Sequence, residues 1–200
     1  ADALYLAGEA KGAAHELLMS SRLADEPDEA AELYSKYLFM RNYRHLGAKE
    51  GREQAEVYDA LTDVTPYTHD AAVPSTQRKL RIGYISPDFR EHAVSYFLPP
   101  LLRHFDGERF MVFCYATGRS DAVTERLRTR RVTWRDLRGR PPRTAARLIA
   151  EDKIDILVDL SGHSQDNALP IMAYRPAPVQ VSGIGYTNTT GLHTIDYFLS

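Results

Sequence analysis

Asp88 and His92 stand four residues apart at the end of the stretch L-R-I-G-Y-I-S-P-D-F-R-E-H, which runs from Leu80 to His92. A carboxylate so placed can reach back to an imidazole, orient it and favour one tautomer, as general acid–base chemistry requires. The plainer alternative makes Asp88 a helix cap and His92 a first-turn surface residue. Two more turns carry groups of interest. Ser161-Gly162-His163-Ser164 follows the apolar run Ile154–Leu160, and Gly185-Tyr186-Thr187-Asn188-Thr189-Thr190-Gly191 follows Pro178–Ile184. Glycines leave backbone N–H groups accessible and helix N-termini attract anions, so three such turns at one end of a sheet suit a polar ligand. Any one of them alone reads as an ordinary turn; together they favour a site. His163 is balanced between a loop histidine bonded to backbone and a site residue.

The elements that must position these groups follow from periodicity. Leu80, Ile82, Tyr84 and Ile85 form a strand in which Gly83 admits a close neighbour. Ser86-Pro87-Asp88 ends it, and Val94, Leu98, Leu101, Leu102 and Phe105 recur at helical spacing. Phe110–Ala116 is a continuous apolar run, as in a strand buried on both faces. A basic helix is expected over Ala122–Arg131, a weak strand over Thr133–Leu137 and a helix over Thr144–Asp152. The strand Ile154–Leu160, a short helix over Ala168–Ala173, the strand Pro178–Ile184 and a last strand from Ile195 follow. Asp155 and Asp159 are expected at the ends of their strand, because charges inside a buried strand need partners. This alternation predicts an α/β lobe with a parallel sheet covered on both faces. Ligands of such sheets bind beyond the carboxyl ends of the strands, the level of Asp88 and His92.

Residues 1–63 read instead as helices. Leu6, Ala10, Ala13 and Leu17 share one face; Pro27, Asp28 and Glu29 suit the first turn of a second helix, with Ala30, Leu33, Tyr34, Tyr37 and Leu38 as its stripe. Gln54, Val57, Tyr58 and Leu61 mark a third. No clean repeat is visible, so the region reads as the end or cap of an array. Residues 64–79 carry two prolines and no periodicity, a connector between a helical region and the lobe 80–200.

Composition excludes several classes. The net charge of −2 argues against nucleic acid as a bulk partner. No apolar run is long enough for a membrane span, and no leader pattern opens the chain, which points to the cytoplasm. The single cysteine, Cys114, lies in an apolar run and reads as a small buried hydrophobe. A metal held by His92 and His163 would need a third ligand, and none stands at a plausible spacing. Gly183-x-Gly185 followed by Gly191 is not the dinucleotide fingerprint, and no G-x-S-x-G elbow accompanies Ser86, Asp88 and His92.

Four motifs in order carry a resemblance: Leu80–His92, D-I-L-V-D-L-S-G-H ending at His163, R-P-A-P-V-Q-V over Arg175–Val181, and G-Y-T-N-T-T-G-L from Gly185 followed by I-D-Y. The chain from Leu80 to Ser200 resembles the start of the catalytic region of the O-linked N-acetylglucosamine transferase family, including its SPINDLY-like members. The resemblance implies a GT-B glycosyltransferase of two Rossmann-like lobes behind helical repeats. It implies a nucleotide-sugar donor such as UDP-GlcNAc, no metal or other cofactor, inversion at the sugar carbon, and Ser or Thr hydroxyls of proteins as acceptors. By the same resemblance His92 matches a histidine beside the donor sugar and phosphates, and Asp88 an aspartate linked to proton removal. Gly185 and Tyr186 match the loop that closes on the donor, where Thr187 also falls; Gly162 and His163 lie in the neighbouring turn. A further family histidine falls near Arg44-His45.

The chain departs from the family pattern at Ala93, where Pro is usual, and at Thr187-Asn188, where Pro-Gly is usual. It stops where the family continues into a second lobe that supplies most nucleotide contacts, so half an active site is expected. Three other readings stay open: a fucose-transferring relative, a protein-binding module without catalysis, and a receiver-like α/β domain. The last lacks a lysine after a late strand.

Overall fold

The computed structural model describes residues 4, 8–43, 47–69, 78–128 and 131–199. Leu6, His45 and part of the connector lie outside the described residues. Three helices come first: α1 (Ala10–Leu23), α2 (Pro27–Arg41) and α3 (Ala48–Leu61). Pro27 opens α2 with Asp28 and Glu29 in its first turn, where they meet the positive end of the dipole. The expected stripe of α2 is buried at Ala30, Tyr34, Tyr37 and Leu38. On α3 the buried side is Ala55 and Tyr58, while Val57 turns out to be exposed.

From Leu80 strands and helices alternate: β1 (Leu80–Ser86), α4 (Leu98–Arg103), β2 (Phe110–Ala116), α5 (Ala122–Leu127), β3 (Val132–Asp136), α6 (Pro142–Glu151), β4 (Ile156–Asp159), α7 (Leu169–Met172), β5 (Val179–Gly183) and β6 (Tyr197–Leu199). All pairings are parallel, in the order β3-β2-β1-β4-β5-β6. The chain winds outward from β1 to β3, then returns to build β4 to β6 on the other side. Strand order therefore reverses between β1 and β4, and the crevice at their carboxyl ends is the place a doubly wound sheet offers a ligand.

The sheet is covered on both faces. On one face Tyr34, Leu38 and Tyr58 of the leading helices share a single apolar core with Ile149 of α6, Met172 of α7 and Leu157 of β4. On the other, Val94, Leu98 and Leu102 pack with Leu127 over Cys114, Val158 and Leu160. Gly83 is needed because a Cβ there would stand 2.9 Å from both Leu157 Cδ1 and Tyr115 Cε2; side chains, rather than a backbone, make the close approach.

Most strands and the short helix α7 differ from their expected ends by one or two residues, and three helix boundaries differ for a visible reason. The helix after β1 opens as a tight 3₁₀ turn over Ala93–Tyr96 before α4, which leaves Leu101 partly exposed. The basic helix ends at Leu127 rather than Arg131: Arg128 lies over the Trp134 ring at 5.1 Å, and the chain must turn back to begin β3. Helix α6 starts two residues early, since Pro142 suits a first turn. Asp155 and Asp159 do flank the interior of β4, Asp155 just before it and Asp159 as its last residue.

Candidate functional site

Asp88 and His92 meet at the mouth of β1. Asp88 is buried, and burial pushes its carboxyl above the usual range against the lowering pull of His92 and Arg90. Its amide bonds the Ser86 hydroxyl at 2.9 Å, and Arg90 Nη2 donates to Asp88 Oδ1 at 3.0 Å. His92 Nδ1 lies 3.6 Å from Asp88 Oδ2, an electrostatic approach longer than a hydrogen bond. The ring is instead oriented by backbone: His92 caps the 3₁₀ turn, and Nδ1 accepts the Val94 N–H at 3.3 Å. The proton of the neutral ring therefore sits on Nε2. With its side chain 38% exposed, His92 can donate that proton to a ligand at the sheet end. The cap in this segment is the histidine, and Asp88 is held by its neighbours.

The turn after β4 is organised by a second buried carboxylate. Asp159 accepts from Ser161 N, Ser161 Oγ, Gly162 N and Ser182 Oγ, the last three at 2.7 to 2.8 Å. Burial raises its carboxyl, and these four bonds pull the other way. The Gly162 amide is thereby used inside the fold. Gly162 adopts φ +50°, and a Cβ on it would stand 2.3 Å from Tyr186 Cβ, so only glycine lets the β5 loop lie against this turn.

His163 is 1% exposed and bonded at both nitrogens. Nδ1 accepts the Ser35 hydroxyl at 2.8 Å, and Nε2–H donates to the Thr190 carbonyl at 2.9 Å. Asn167 Nδ2 donates to the same Ser35 oxygen, and Tyr58 and Tyr186 stand edge-on at 4.7 and 5.5 Å. The imidazole thus pins α2, the β4 turn and the β5 loop together, with neither nitrogen left for a ligand. Burial lowers its pKa to about 4. The unfolded chain takes up this proton near the ordinary value of about 6.5. Stability from the neutral ring is therefore complete above that value and falls as the pH drops toward 4. Between pH 7 and 5 this one group should cost about 2 kcal/mol. Urea melts of the wild type and His163→Gln check this: the variant should lose that part of the pH slope, and an unchanged slope would refute it.

The loop after β5 leaves through Ile184, a β-branched residue at φ +72°, the kind of strain that gathers at functional loops. Gly185 presses on the strand end, since a Cβ there would stand 2.0 Å from the Leu160 oxygen. Tyr186 is buried with its hydroxyl on the Asn42 side chain, while Thr187 and Asn188 are exposed. Further on, His193 Nδ1 lies 2.8 Å from Asp59 of α3.

Sequence reasoning missed Arg90, Ser35, Asn42, Asp59 and the organising role of Asp159. Arg90 stood in plain view beside Asp88. The others act across 128 to 146 residues of chain, except Asp159, whose four donors are local, and no local pattern announces such contacts. His45 lies outside the described residues, so its place is not part of this geometry. Among the described residues no three His, Cys, Asp or Glu side chains converge as a metal site would require.

A doubly wound parallel sheet, with a histidine and a raised carboxyl at the end of β1 and a strained, glycine-bearing loop after β5, makes an α/β lobe of the kind that offers a ligand crevice at its switch point. The family description glycosyl transferase family 41 matches residues 42–200, and the chain belongs to that family. It is similar to the protein named probable UDP-N-acetylglucosamine–peptide N-acetylglucosaminyltransferase SPINDLY of Arabidopsis thaliana, 47% identical over 136 residues, covering 66% of this chain and 15% of that protein. The SPINDLY protein of Eustoma exaltatum is 40% identical over 185 residues, covering 86% of this chain and 19% of its own length. A solved mutant of Thermobaculum terrenum O-GlcNAc transferase superposes with a TM-score of 0.87 at 33% identity, over 98% of this chain and 38% of that one. The chain thus spans well under half the length of these relatives. No described helix is long and apolar enough to cross a membrane.

Proposed function

We propose that this chain is the first lobe of an inverting glycosyltransferase that moves N-acetylglucosamine from UDP-GlcNAc to Ser or Thr hydroxyls of proteins. The observation that carries the reading is the placement of His92 and Asp88 at the switch point of the sheet, with Val94 of the same segment against Gly185 of the β5 loop. The printed names of the relatives, which specify UDP-N-acetylglucosamine and a peptide, supply donor and acceptor. In this account the acceptor oxygen attacks the sugar carbon as its bond to the diphosphate oxygen breaks. His92 Nε2–H donates to an oxygen of the donor, stabilising charge that grows on the leaving diphosphate. Asp88, its carboxyl raised by burial beside His92, is assigned the hydroxyl proton. The site residues retained are His92 and Asp88 beside the reacting atoms, with Gly185 and Thr187 on the loop facing the donor. Gly162, Tyr186 and His163 hold that loop in place. No metal enters these steps. The free, buried Cys114 suits a reducing cytoplasm.

The second lobe of the parent protein would supply most of the nucleotide contacts. Residues 1–200 alone are therefore expected to bind UDP no tighter than millimolar, about −4 kcal/mol, and the full-length protein far more tightly. Calorimetry on both checks this, and a micromolar constant for the shorter chain, about −8 kcal/mol, would refute it. A fucose-transferring enzyme is the second reading, motivated by Thr187 and Asn188, both exposed, in the loop assigned here to the donor. Transfer from GDP-fucose but not UDP-GlcNAc would select it.

A further inference from the structure

One edge of the lobe carries charge that the proposed chemistry leaves unused. Ten arginines and three acidic residues fall between positions 119 and 147, a net of +7, so the other 171 residues carry −9. Several of these arginines are committed within the fold. Arg135 pairs with Asp152 at 2.8 Å, Arg147 with Glu151 at 3.1 Å and Arg128 with Glu125 at 3.1 Å, and Arg131 donates to the Phe105 carbonyl at 2.8 Å. Arg119, Arg126, Arg138 and Arg143 are exposed, and among the described residues their guanidinium groups have no partner.

Their placement is not scattered. Arg119 follows β2 and Arg138 follows β3, and in a parallel sheet these ends lie with the end of β1, where Asp88 and His92 sit. Arg119 adjoins Gly118, which presses so closely on Pro87 that a Cβ would stand 2.1 Å from the Pro87 oxygen. The Glu91 amide donates to Asp121 at 2.8 Å, fastening the His92 loop to the start of α5. Arg126, on the same helix, lines a shallow groove of about 200 Å³ with Glu91, Ser95, Tyr96 and Pro99. Tyr96 and the adjoining Phe97 are 79% and 61% exposed.

We propose that this arginine rim is a docking surface for an acidic peptide segment of the acceptor, which lies along the groove and delivers its neighbouring hydroxyl to the β1 mouth. The proposal rests on the reading of the lobe as part of a protein glycosyltransferase and adds the class of acceptor it selects. Charge complementarity identifies the occupant. A cationic strip confined to one edge of a chain that is otherwise −9 attracts a short anionic segment and repels a long polyanion. The groove also favours peptide over nucleic acid: Glu91 in its wall opposes phosphates, whereas a peptide can turn an N–H toward that carboxylate. Tyr96, Pro99, Val123 and Leu127 give it an apolar floor for one side chain.

The test uses the full-length protein and fluorescence anisotropy, which needs no turnover. Three labelled probes are compared: a serine peptide flanked by aspartate and glutamate, its asparagine and glutamine counterpart, and a single-stranded RNA of equal charge. The acidic peptide should bind about tenfold or more tighter than the neutral one, an advantage of about 1.4 kcal/mol that fades with added salt. Arg119→Glu/Arg126→Glu should erase the advantage without lowering the melting temperature. Arg119→Ala/Arg126→Ala should reduce it by a smaller amount, so the comparison stands even if charge reversal disturbs folding. Equal affinity for the two peptides, or an undiminished advantage in both double variants, would overturn the proposal. So would tighter binding of the RNA than of the acidic peptide. Failure of the glycosyltransferase reading would show elsewhere, as absence of sugar transfer to any peptide.

Discussion

If the proposed transfer is right, His92→Ala in the full-length protein is expected to slow turnover about a hundredfold, on the order of 3 kcal/mol of lost transition-state stabilisation. Two observations set this size. Nδ1 is occupied by the Val94 amide, so the ring is held with Nε2–H outward, and more than a third of the side chain remains open to a ligand. A donor fixed before the reaction and aimed at developing charge contributes mainly in the transition state. The same geometry predicts little change in folding, because His92 caps only a four-residue 3₁₀ turn and lies outside both apolar cores. Turnover and thermal melting of the one variant are measured together. Full activity would reduce His92 to a cap, and equal losses in activity and melting temperature would make it structural.

Gly191→Ala should be the most damaging single methyl group in the loop after β5. Gly191 adopts φ +79°, and an added Cβ would stand 1.9 Å from the Ala55 carbonyl oxygen and 3.0 Å from the Glu56 nitrogen. Both contacts are backbone in the middle of α3, where Ala55 is 2% exposed, so neither side can yield cheaply. Left-handed strain and overpacking together should cost about 3–5 kcal/mol, about 10 °C in melting temperature. The damage should be felt at the site as well, since Thr190 and His193 on either side anchor the loop to His163 and Asp59. Gly139→Ala is the control: it shares a positive φ of +70° but has nothing within 4 Å, and should cost only about 1 kcal/mol. Equal, small effects of the two substitutions would refute the close docking of the loop on α3.

The sequence made the sheet legible because buried parallel strands write themselves as continuous apolar runs, as in Phe110–Ala116, and amphipathic helices between them force parallel crossovers. It also placed Asp88 and His92 at the right end of the sheet, because the turn Ser86-Pro87-Asp88 marks where the strand stops. What it could not give was the direction of a ring. The pairing expected between Asp88 and His92 gave way to a backbone donor two residues on, a contact decided by the 3₁₀ turn. His163 shows the same limit over distance. Its placement after a buried strand was readable, yet Ser35 and Thr190, which hold it, lie 128 and 27 residues away. The arginine-rich stretch was visible as basic from the outset. Which of its guanidinium groups are free depends on where Asp152, Glu151 and the Phe105 carbonyl come to rest.

The most direct test is sugar transfer itself. The full-length protein is incubated with UDP-GlcNAc or GDP-fucose and a serine- and threonine-containing peptide, and the peptide is then examined by mass spectrometry with fragmentation. The account predicts one N-acetylhexosamine on a Ser or Thr hydroxyl from UDP-GlcNAc, strongly reduced by His92→Ala. An unmodified peptide with either donor, from a folded protein that binds UDP, would contradict it.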